Sequence, residues 1–143
     1  RVVGTDVSVP ALGVARENAV RHGVGDRVDL VASPYLDAVR GPFDLLVANP
    51  PYVREEDGAG LSREVRHEPD VALFGGPGGL RNLAGVLRTA VDAVRRGGWI
   101  VIEYGFDQED AVARLVSQQP GLALDRMRQD LQGLPRTAII ERV

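Results

Sequence analysis

The chain has 143 residues, 44% of them hydrophobic and 26% charged, which are the proportions of an ordinary globular domain. It has no cysteine and two histidines, His22 and His67, so a disulfide framework, a thiolate metal site and a His-based metal site are excluded. The net charge of −3 argues against a general nucleic-acid binder. Because no apolar run approaches the ~20 residues of a membrane span and no signal peptide is visible, we expect a cytoplasmic protein.

The first predicted elements are a strand at residues 2–5 and a helix at residues 10–22. Ser8 is a suitable N-cap for this helix, and Pro10 lies in its first turn. Gly23 is a suitable C-terminal stop. Leu12, Ala15 and Ala19 mark its inner face.

Two further strands are predicted at residues 28–31 and 43–48, the second of which is the apolar run Phe-Asp-Leu-Leu-Val-Ala. A loop rich in glycine and charge follows at residues 49–79. Loops longer than ~12–15 residues are usually functional or disordered.

The next helix has the clearest period, and we expect Gly97-Gly98 to end it. Its apolar positions are Leu80, Leu83, Ala84, Leu87, Val91 and Val94. After it come a strand, a helix and two strands, predicted at residues 99–104, 108–118, 122–127 and 137–143. The alternation predicts an α/β fold with a mostly parallel sheet, and the last two strands, with no helix between them, should be antiparallel.

The most informative motif is Asn49-Pro50-Pro51-Tyr52, which directly follows the strand at residues 43–48. The carboxyl ends of strands are where open α/β sheets bind ligands. The prolines lack N–H donors, Asn49 offers an amide oxygen and Tyr52 offers an aromatic face. This set suits the binding of a planar NH2 group whose nitrogen is to be alkylated, whereas an ordinary strand-ending turn is the alternative.

Asp6 ends the first predicted strand and precedes a helix, which is where nucleotide-binding α/β folds place an acid that accepts hydrogen bonds from ribose hydroxyls. The alternative for Asp6 is a helix cap. Tyr35 follows the second strand and is a candidate for stacking on adenine, or else a core tyrosine.

These motifs resemble those of the Rossmann-like methyltransferases that use S-adenosylmethionine. Within that group the chain resembles the protein-(glutamine-N5) methyltransferases that act on peptide chain release factors. The resemblance covers the whole chain. It rests on Thr5-Asp6-Val7-Ser8, Asn49-Pro50-Pro51-Tyr52-Val53, Arg66-His67-Glu68-Pro69, Ala72 to Gly76, Gly78-Gly79-Leu80, Glu103 to Gln108 and Asp130 to Arg136.

The resemblance implies a Rossmann-like sheet with a terminal antiparallel hairpin, here lacking its first strand. Residues 1–143 would then be the C-terminal part of a catalytic domain, because the chain starts mid-strand without an initiator Met. The cofactor's glycine-rich loop and an N-terminal helical domain would be absent. The missing strand would be central in the sheet, which would leave exposed strand edges. Pro34 departs from the family, many of whose members have an Asp beside the adenine.

The resemblance also implies the site. Asp6, Val7, Tyr35 and Asn49 would contact S-adenosylmethionine. The motif from Asn49 to Tyr52 would bind a glutamine amide of the release factor, with the Asn49 side-chain oxygen and the Pro50 carbonyl accepting its two N–H groups. The partner would be a release factor, with no stable nucleic-acid or membrane binding, and the full-length protein would be a monomer.

Three other polar side chains belong to the stretches that carry the resemblance. Glu68 would contact the substrate or order its own loop, and Glu103, at a strand end on the same rim as Asn49, stays unassigned. His67 is expected to be a loop hydrogen-bonder and not a general base. The loop arginines Arg54, Arg63 and Arg66 are expected to form a solvated face.

Three alternatives stay open: a glutamine methyltransferase of a ribosomal protein, a DNA or RNA amino-methyltransferase, and a non-catalytic fragment. The stretch from Glu103 to Gly105 and the ending near Gly133 favour the release-factor group. The missing basic surplus disfavours nucleic acid. A thermal shift with S-adenosylmethionine would separate the fragment from the enzymes.

Overall fold

The computed structural model describes residues 1–63 and 65–143, which form two compact units, Arg1–Arg40 and Gly41–Val143. In the described residues, the helices are all too short or too polar to cross a membrane. The expectation of a single truncated catalytic domain over residues 1–143 stays a prediction.

The first unit is one strand–helix–strand motif. It contains β1 (Val2–Asp6), α1 (Val9–Arg21) and β2 (Val28–Ala32), with a 3-10 turn at Gly25–Arg27 before β2. The two strands pair in parallel, with Val2 opposite Val28, as the crossover through a helix requires.

The caps predicted for α1 are confirmed. The Ser8 hydroxyl accepts a hydrogen bond from the Ala11 N–H at 3.2 Å, and Gly23 takes a left-handed φ of 65° while its N–H donates to the Val20 carbonyl at 3.0 Å. The residues predicted for the inner face are half-buried, whereas most of the helix is exposed: Leu12, Ala15 and Ala19.

The second unit is built on a four-stranded mixed sheet. Its strands are β3 (Phe43–Ala48), β4 (Val94–Glu103), β5 (Leu122–Gln129) and β6 (Pro135–Arg142), in the order β3-β4-β6-β5. β3 and β4 are parallel, and β6 is antiparallel to both β4 and β5. The predicted terminal antiparallel hairpin is therefore confirmed.

Two helices, α3 (Arg81–Ala93) and α4 (Glu109–Ser117), pack against this sheet and contact each other. Each fully buried aliphatic side chain contributes about 1.5–3 kcal/mol through removal from water. The largest side chains of this core are Leu83, Leu87, Ile100, Ile102, Tyr104, Val112, Val116 and Ile140.

The prediction that Gly97-Gly98 ends α3 was wrong. The helix ends at Ala93, and β4 starts at once with Val94. Phe43 pairs with Val94 but Leu45 pairs with Trp99, so β4 carries extra residues in a bulge, and Gly97 supplies a φ of 71° there. The glycines serve the strand and not a helix cap.

The segment predicted as a long loop also contains short helices. They are 3-10 turns at Glu55–Gly60, Val65–His67 and Pro77–Gly79, and α2 (Asp70–Leu73). An isolated parallel bridge joins Val53 to Phe74. The two ends of the segment are therefore held together by backbone pairing.

Within the described residues, β1 pairs only with β2 and β3 pairs only with β4. Each of them therefore lies at an edge of its own sheet.

Candidate functional site

The Asn-Pro-Pro-Tyr motif begins directly after β3, at the carboxyl end of a strand that is parallel to its neighbour. Asn49 is exposed, Pro50 is buried, and Pro51 and Tyr52 are half-buried. The motif therefore lines the rim of the sheet, where ligands of α/β folds bind.

Two side-chain amides hold the backbone of this motif. The Pro51 carbonyl accepts a hydrogen bond from the Asn82 side-chain amide at 3.1 Å, and the Tyr52 carbonyl accepts one from the Gln108 side-chain amide at 3.0 Å. Asn82 lies in the first turn of α3 and Gln108 immediately precedes α4, so both helices fix the motif.

The next residue is held by backbone pairing. The Val53 N–H donates to the Leu73 carbonyl at 3.0 Å, and the Val53 carbonyl accepts from the Gly75 N–H at 2.9 Å. Across residues 1–63 and 65–143, neither the Asn49 side chain nor the Pro50 carbonyl has a hydrogen-bond partner. The motif thus keeps two acceptors open next to a backbone that is fixed by hydrogen bonds at Pro51, Tyr52 and Val53.

The Tyr52 hydroxyl donates a hydrogen bond to the Glu103 carboxylate at 2.9 Å. Burial raises the pKa of Tyr52 and the Glu103 partner raises it further, while the positive charge of Arg136 opposes both. Glu103, which the sequence left unassigned, therefore orients the aromatic ring of the motif. Arg136 itself lies over the Phe106 ring, 5.6 Å from its centre.

The predicted cofactor contacts Asp6 and Val7 lie in the first unit, at and just beyond the end of β1. One carboxylate oxygen of Asp6 accepts from the Ser8 N–H at 2.7 Å, in the turn before α1, whereas the N-cap of that helix is Ser8. Both Asp6 and Val7 are exposed. The contact with Ser8 occupies one oxygen of an exposed carboxylate, and a ribose contact by Asp6 stays a prediction.

Tyr35 lies in the turn after β2. The Ser33 N–H donates to the Asp6 carbonyl at 3.0 Å, so this turn and Asp6 are neighbours at the carboxyl ends of two paired strands. Tyr35 has a φ of 48°, an uncommon value for a bulky residue, and such values cluster at functional positions. Pro34 is exposed beside it. Adenine stacking by Tyr35 stays a prediction.

The charged side chains of the segment at residues 49–79 differ in their contacts. The His67 ring Nδ1 lies 2.7 Å from the Arg63 carbonyl oxygen, which only accepts, so the prediction of a loop hydrogen-bonder is confirmed. Arg54 pairs with Asp107 at 2.7 Å and is not merely solvated. Glu68 is exposed, and the structure shows no hydrogen bond from its side chain to the described residues. A substrate role for Glu68 stays a prediction.

Sequence reasoning gave no role to Asn82 or Gln108. Asn82 is a polar residue in the first turn of an apolar-periodic helix, and Gln108 stands between a strand and a helix next to charged Asp107 and Glu109. Buried amides need hydrogen-bond partners, so a side-chain amide at the start of a core helix is a sequence signal for a contact with a neighbouring segment.

Solved structures place this chain among the methyltransferases by fold. A methyltransferase from Pyrococcus furiosus matches 99% of the chain and 62% of its own length, with a TM-score of 0.71 and 17% identity. A ribosomal protein L11 methylase from Lactobacillus delbrueckii subsp. bulgaricus matches 98% of the chain and 56% of its own length, with a TM-score of 0.68 and 19% identity. The chain therefore has the Rossmann-like α/β fold of these enzymes.

Sequence comparison leads to a narrower group. A release factor glutamine methyltransferase from Bradyrhizobium diazoefficiens is 43% identical over 136 residues, which are 94% of this chain and 46% of that protein. One from Moorella thermoacetica is 40% identical over 95% of this chain and 48% of that protein. A bifunctional methyltransferase from Rickettsia felis is 35% identical over 97% of this chain and 27% of that protein.

The predicted resemblance to the release factor glutamine methyltransferases is thus confirmed over nearly the whole chain. The chain spans about half the length of these curated relatives, and less of the Rickettsia protein. No family model matches it.

Proposed function

We propose that this chain forms part of the catalytic domain of an S-adenosylmethionine-dependent methyltransferase that methylates a glutamine side-chain amide in peptide chain release factors. The observation that carries the proposal is the pair of open acceptors, the Asn49 side-chain oxygen and the Pro50 carbonyl, next to the carbonyls of Pro51, Tyr52 and Val53, which all accept hydrogen bonds. The names of relatives at 40–43% identity support it.

A primary amide offers two N–H donors, and two acceptors on one rim match them. Its nitrogen is a poor nucleophile because the lone pair is delocalised into the carbonyl. Acceptors that hold both N–H groups aim that lone pair in one direction and ease the loss of planarity. Such alignment contributes about 7–11 kcal/mol in well-oriented systems.

Tyr52 supplies a flat surface for the amide, and the Glu103 hydrogen bond sets the ring's orientation. S-adenosylmethionine, when bound, supplies a methyl group made electrophilic by its positive sulfur, so these residues need no strong base.

For the cofactor, the exposed Asp6 carboxylate suits the ribose hydroxyls, since only one of its oxygens has a contact to the described residues, the one with Ser8. Val7 and Tyr35 would border the same end of the β1–β2 pair, and Asn49 is a further proposed cofactor contact. We further propose that the full-length protein is cytoplasmic and monomeric.

The test is methylation by the full-length protein of a release factor in the presence of S-adenosylmethionine, mapped by peptide mass spectrometry. We expect one added methyl on the glutamine of the release factor's Gly-Gly-Gln loop, lost with Asn49→Ala. A methyl on a ribosomal protein or on DNA instead would reject the release-factor substrate, and no methyl transfer to any of them would reject the proposed activity.

A further inference from the structure

Gln108 is one of few buried polar residues in the described part of the chain, with 3% of its surface exposed. It is the N-cap residue of α4 by position, but its side chain makes no cap hydrogen bond to that helix. A buried amide that is not used for capping must satisfy its polar groups elsewhere.

The Gln108 amide joins three segments that are distant in sequence. Its oxygen accepts from the Gly105 N–H at 2.8 Å, and its nitrogen donates to the carbonyls of Tyr52 and Gly78, each at 3.0 Å. Both N–H groups of the amide are used: one donates to the Tyr52 carbonyl of the motif, and the other to the Gly78 carbonyl in the 3-10 turn Pro77–Gly79. The residue therefore links the Asn-Pro-Pro-Tyr motif, the glycine-rich segment and the turn before α4.

The glycine-rich segment is shaped to allow this contact. Gly79 has a φ of 71°, and a Cβ there would collide with the Tyr52 carbonyl and with the Gln108 side-chain nitrogen. Any other residue at this position would force the three groups apart. The bare backbone at Gly79 and the amide of Gln108 thus form one close-packed junction behind the motif.

We propose that Gln108 is a positioning residue for the methyl transfer. By binding the Tyr52 carbonyl, Gln108 fixes the positions of the two open acceptors, the Asn49 side-chain oxygen and the Pro50 carbonyl. The inference rests on the proposed function. Gln108 itself is buried beneath the motif and its amide is fully engaged by backbone groups, so it does not touch the substrate.

The test is Gln108→Glu in the full-length protein. The carboxylate keeps the acceptor for the Gly105 N–H but has no donor for the Tyr52 and Gly78 carbonyls. Because a displacement of about 1 Å costs about 100-fold in rate, we expect kcat on the release factor to fall about 100-fold while the affinity for S-adenosylmethionine changes less than about 2-fold. Gln129→Glu makes the same chemical change at an exposed strand position and should leave kcat unchanged.

A second readout does not depend on methylation. Amide hydrogen exchange should accelerate at Val53, Gly75 and Gly79, whose N–H groups lie in the loop pairing around the junction. It should stay unchanged at Ile100 and Ile140 in the sheet. A role in overall stability alone would lower the melting temperature but leave both kcat of the folded protein and this local pattern as in the parent.

The outcomes separate the two proposals. If the parent protein methylates no glutamine, the proposed function fails and hydrogen exchange alone decides the role of Gln108, with unchanged local exchange overturning it. If the parent is active and Gln108→Glu keeps parental kcat, the positioning role is refuted. If Gln108→Glu does not fold, Gln108→Met, of similar length and without charge, takes its place, with the same expected loss of kcat and the same refuting result.

Discussion

The hydrogen bond between Tyr52 and Glu103 predicts an energetic coupling that a double-mutant cycle measures. The hydroxyl and the carboxylate lie 2.9 Å apart, and both residues are half-buried. Hydrogen bonds to charged groups contribute about 1.5–3 kcal/mol, and partial exposure puts this one at the lower end or below it. We therefore expect a coupling of about 1 kcal/mol.

The cycle consists of Tyr52→Phe, Glu103→Ala and the double variant, with the free energy of unfolding measured by urea denaturation of the full-length protein at pH 7. Tyr52→Phe alone should lower the unfolding free energy by about 1 kcal/mol, because it removes only the hydroxyl. In the Glu103→Ala background the same change should cost close to nothing, since the partner is already gone.

A control comes from β6. Glu141 is four residues further along β6 than Thr137, the partner of Glu103 in the strand register, so it lies about 13 Å along the strand from that pair. Tyr52→Phe and Glu141→Ala should therefore add within about 0.5 kcal/mol. If the effects of Tyr52→Phe and Glu103→Ala on the unfolding free energy are also additive within about 0.5 kcal/mol, the carboxylate does not orient the ring, and the account of this part of the site is wrong.

Three further predictions concern single positions. Tyr104→Phe should raise the unfolding free energy by about 1 kcal/mol, measured by urea denaturation, because the Tyr104 hydroxyl is buried without a hydrogen-bond partner in the described residues. Burial raises the pKa of Tyr104 to about 12, above the ~10 of an unfolded tyrosine, so the folded state favours the protonated hydroxyl. The stability linked to this protonation is present below pH ~10 and is lost as pH rises towards 12. The unfolding free energy of the parent should therefore fall by on the order of 2 kcal/mol over that range, and that of Tyr104→Phe should fall less. Gly79→Ala should lower the melting temperature because of its positive φ and the collision with Tyr52, whereas Gly13→Ala, in α1 with open space around it, should raise stability by about 0.5–1 kcal/mol, and equal effects would contradict the junction. Asn49→Ala should lower kcat about 100-fold with little change in melting temperature, because its side chain is exposed and has no hydrogen bond or ion pair with the described residues; unchanged turnover would remove Asn49 from the reaction.

Local signals in the sequence predicted the elements that depend on local physics. The run before Asn49 gave β3 with the bounds Phe43–Ala48, and the capping residues Ser8 and Gly23 gave α1 within one residue at each end. The lack of a helix between the last two strands predicted their antiparallel pairing. In each case the deciding signal is local in the sequence: an apolar run, a capping residue or a short link between two strands.

The errors arose where distant pairing decides the structure. Gly97-Gly98 has the composition of a helix end, but the pairing of β4 with β3 makes it part of a strand bulge. The short helices at residues 55–79 have too few residues to show a period.

The role of Gln108 depends on Tyr52, 56 residues away, and on Gly78, 30 residues away. No local pattern encodes such contacts. The resemblance pointed to the stretch from Glu103 to Gln108 as a motif, but it did not say which of its side chains face the site or what they hold.

The open acceptor pair is the central claim, and a structure of the full-length protein with S-adenosylhomocysteine and a peptide containing Gly-Gly-Gln tests it most directly. The account predicts that the glutamine side-chain nitrogen lies within about 3.2 Å of both the Asn49 side-chain oxygen and the Pro50 carbonyl, with the amide plane against Tyr52. A glutamine amide bound elsewhere, with Asn49 and Pro50 still without partners, would contradict it.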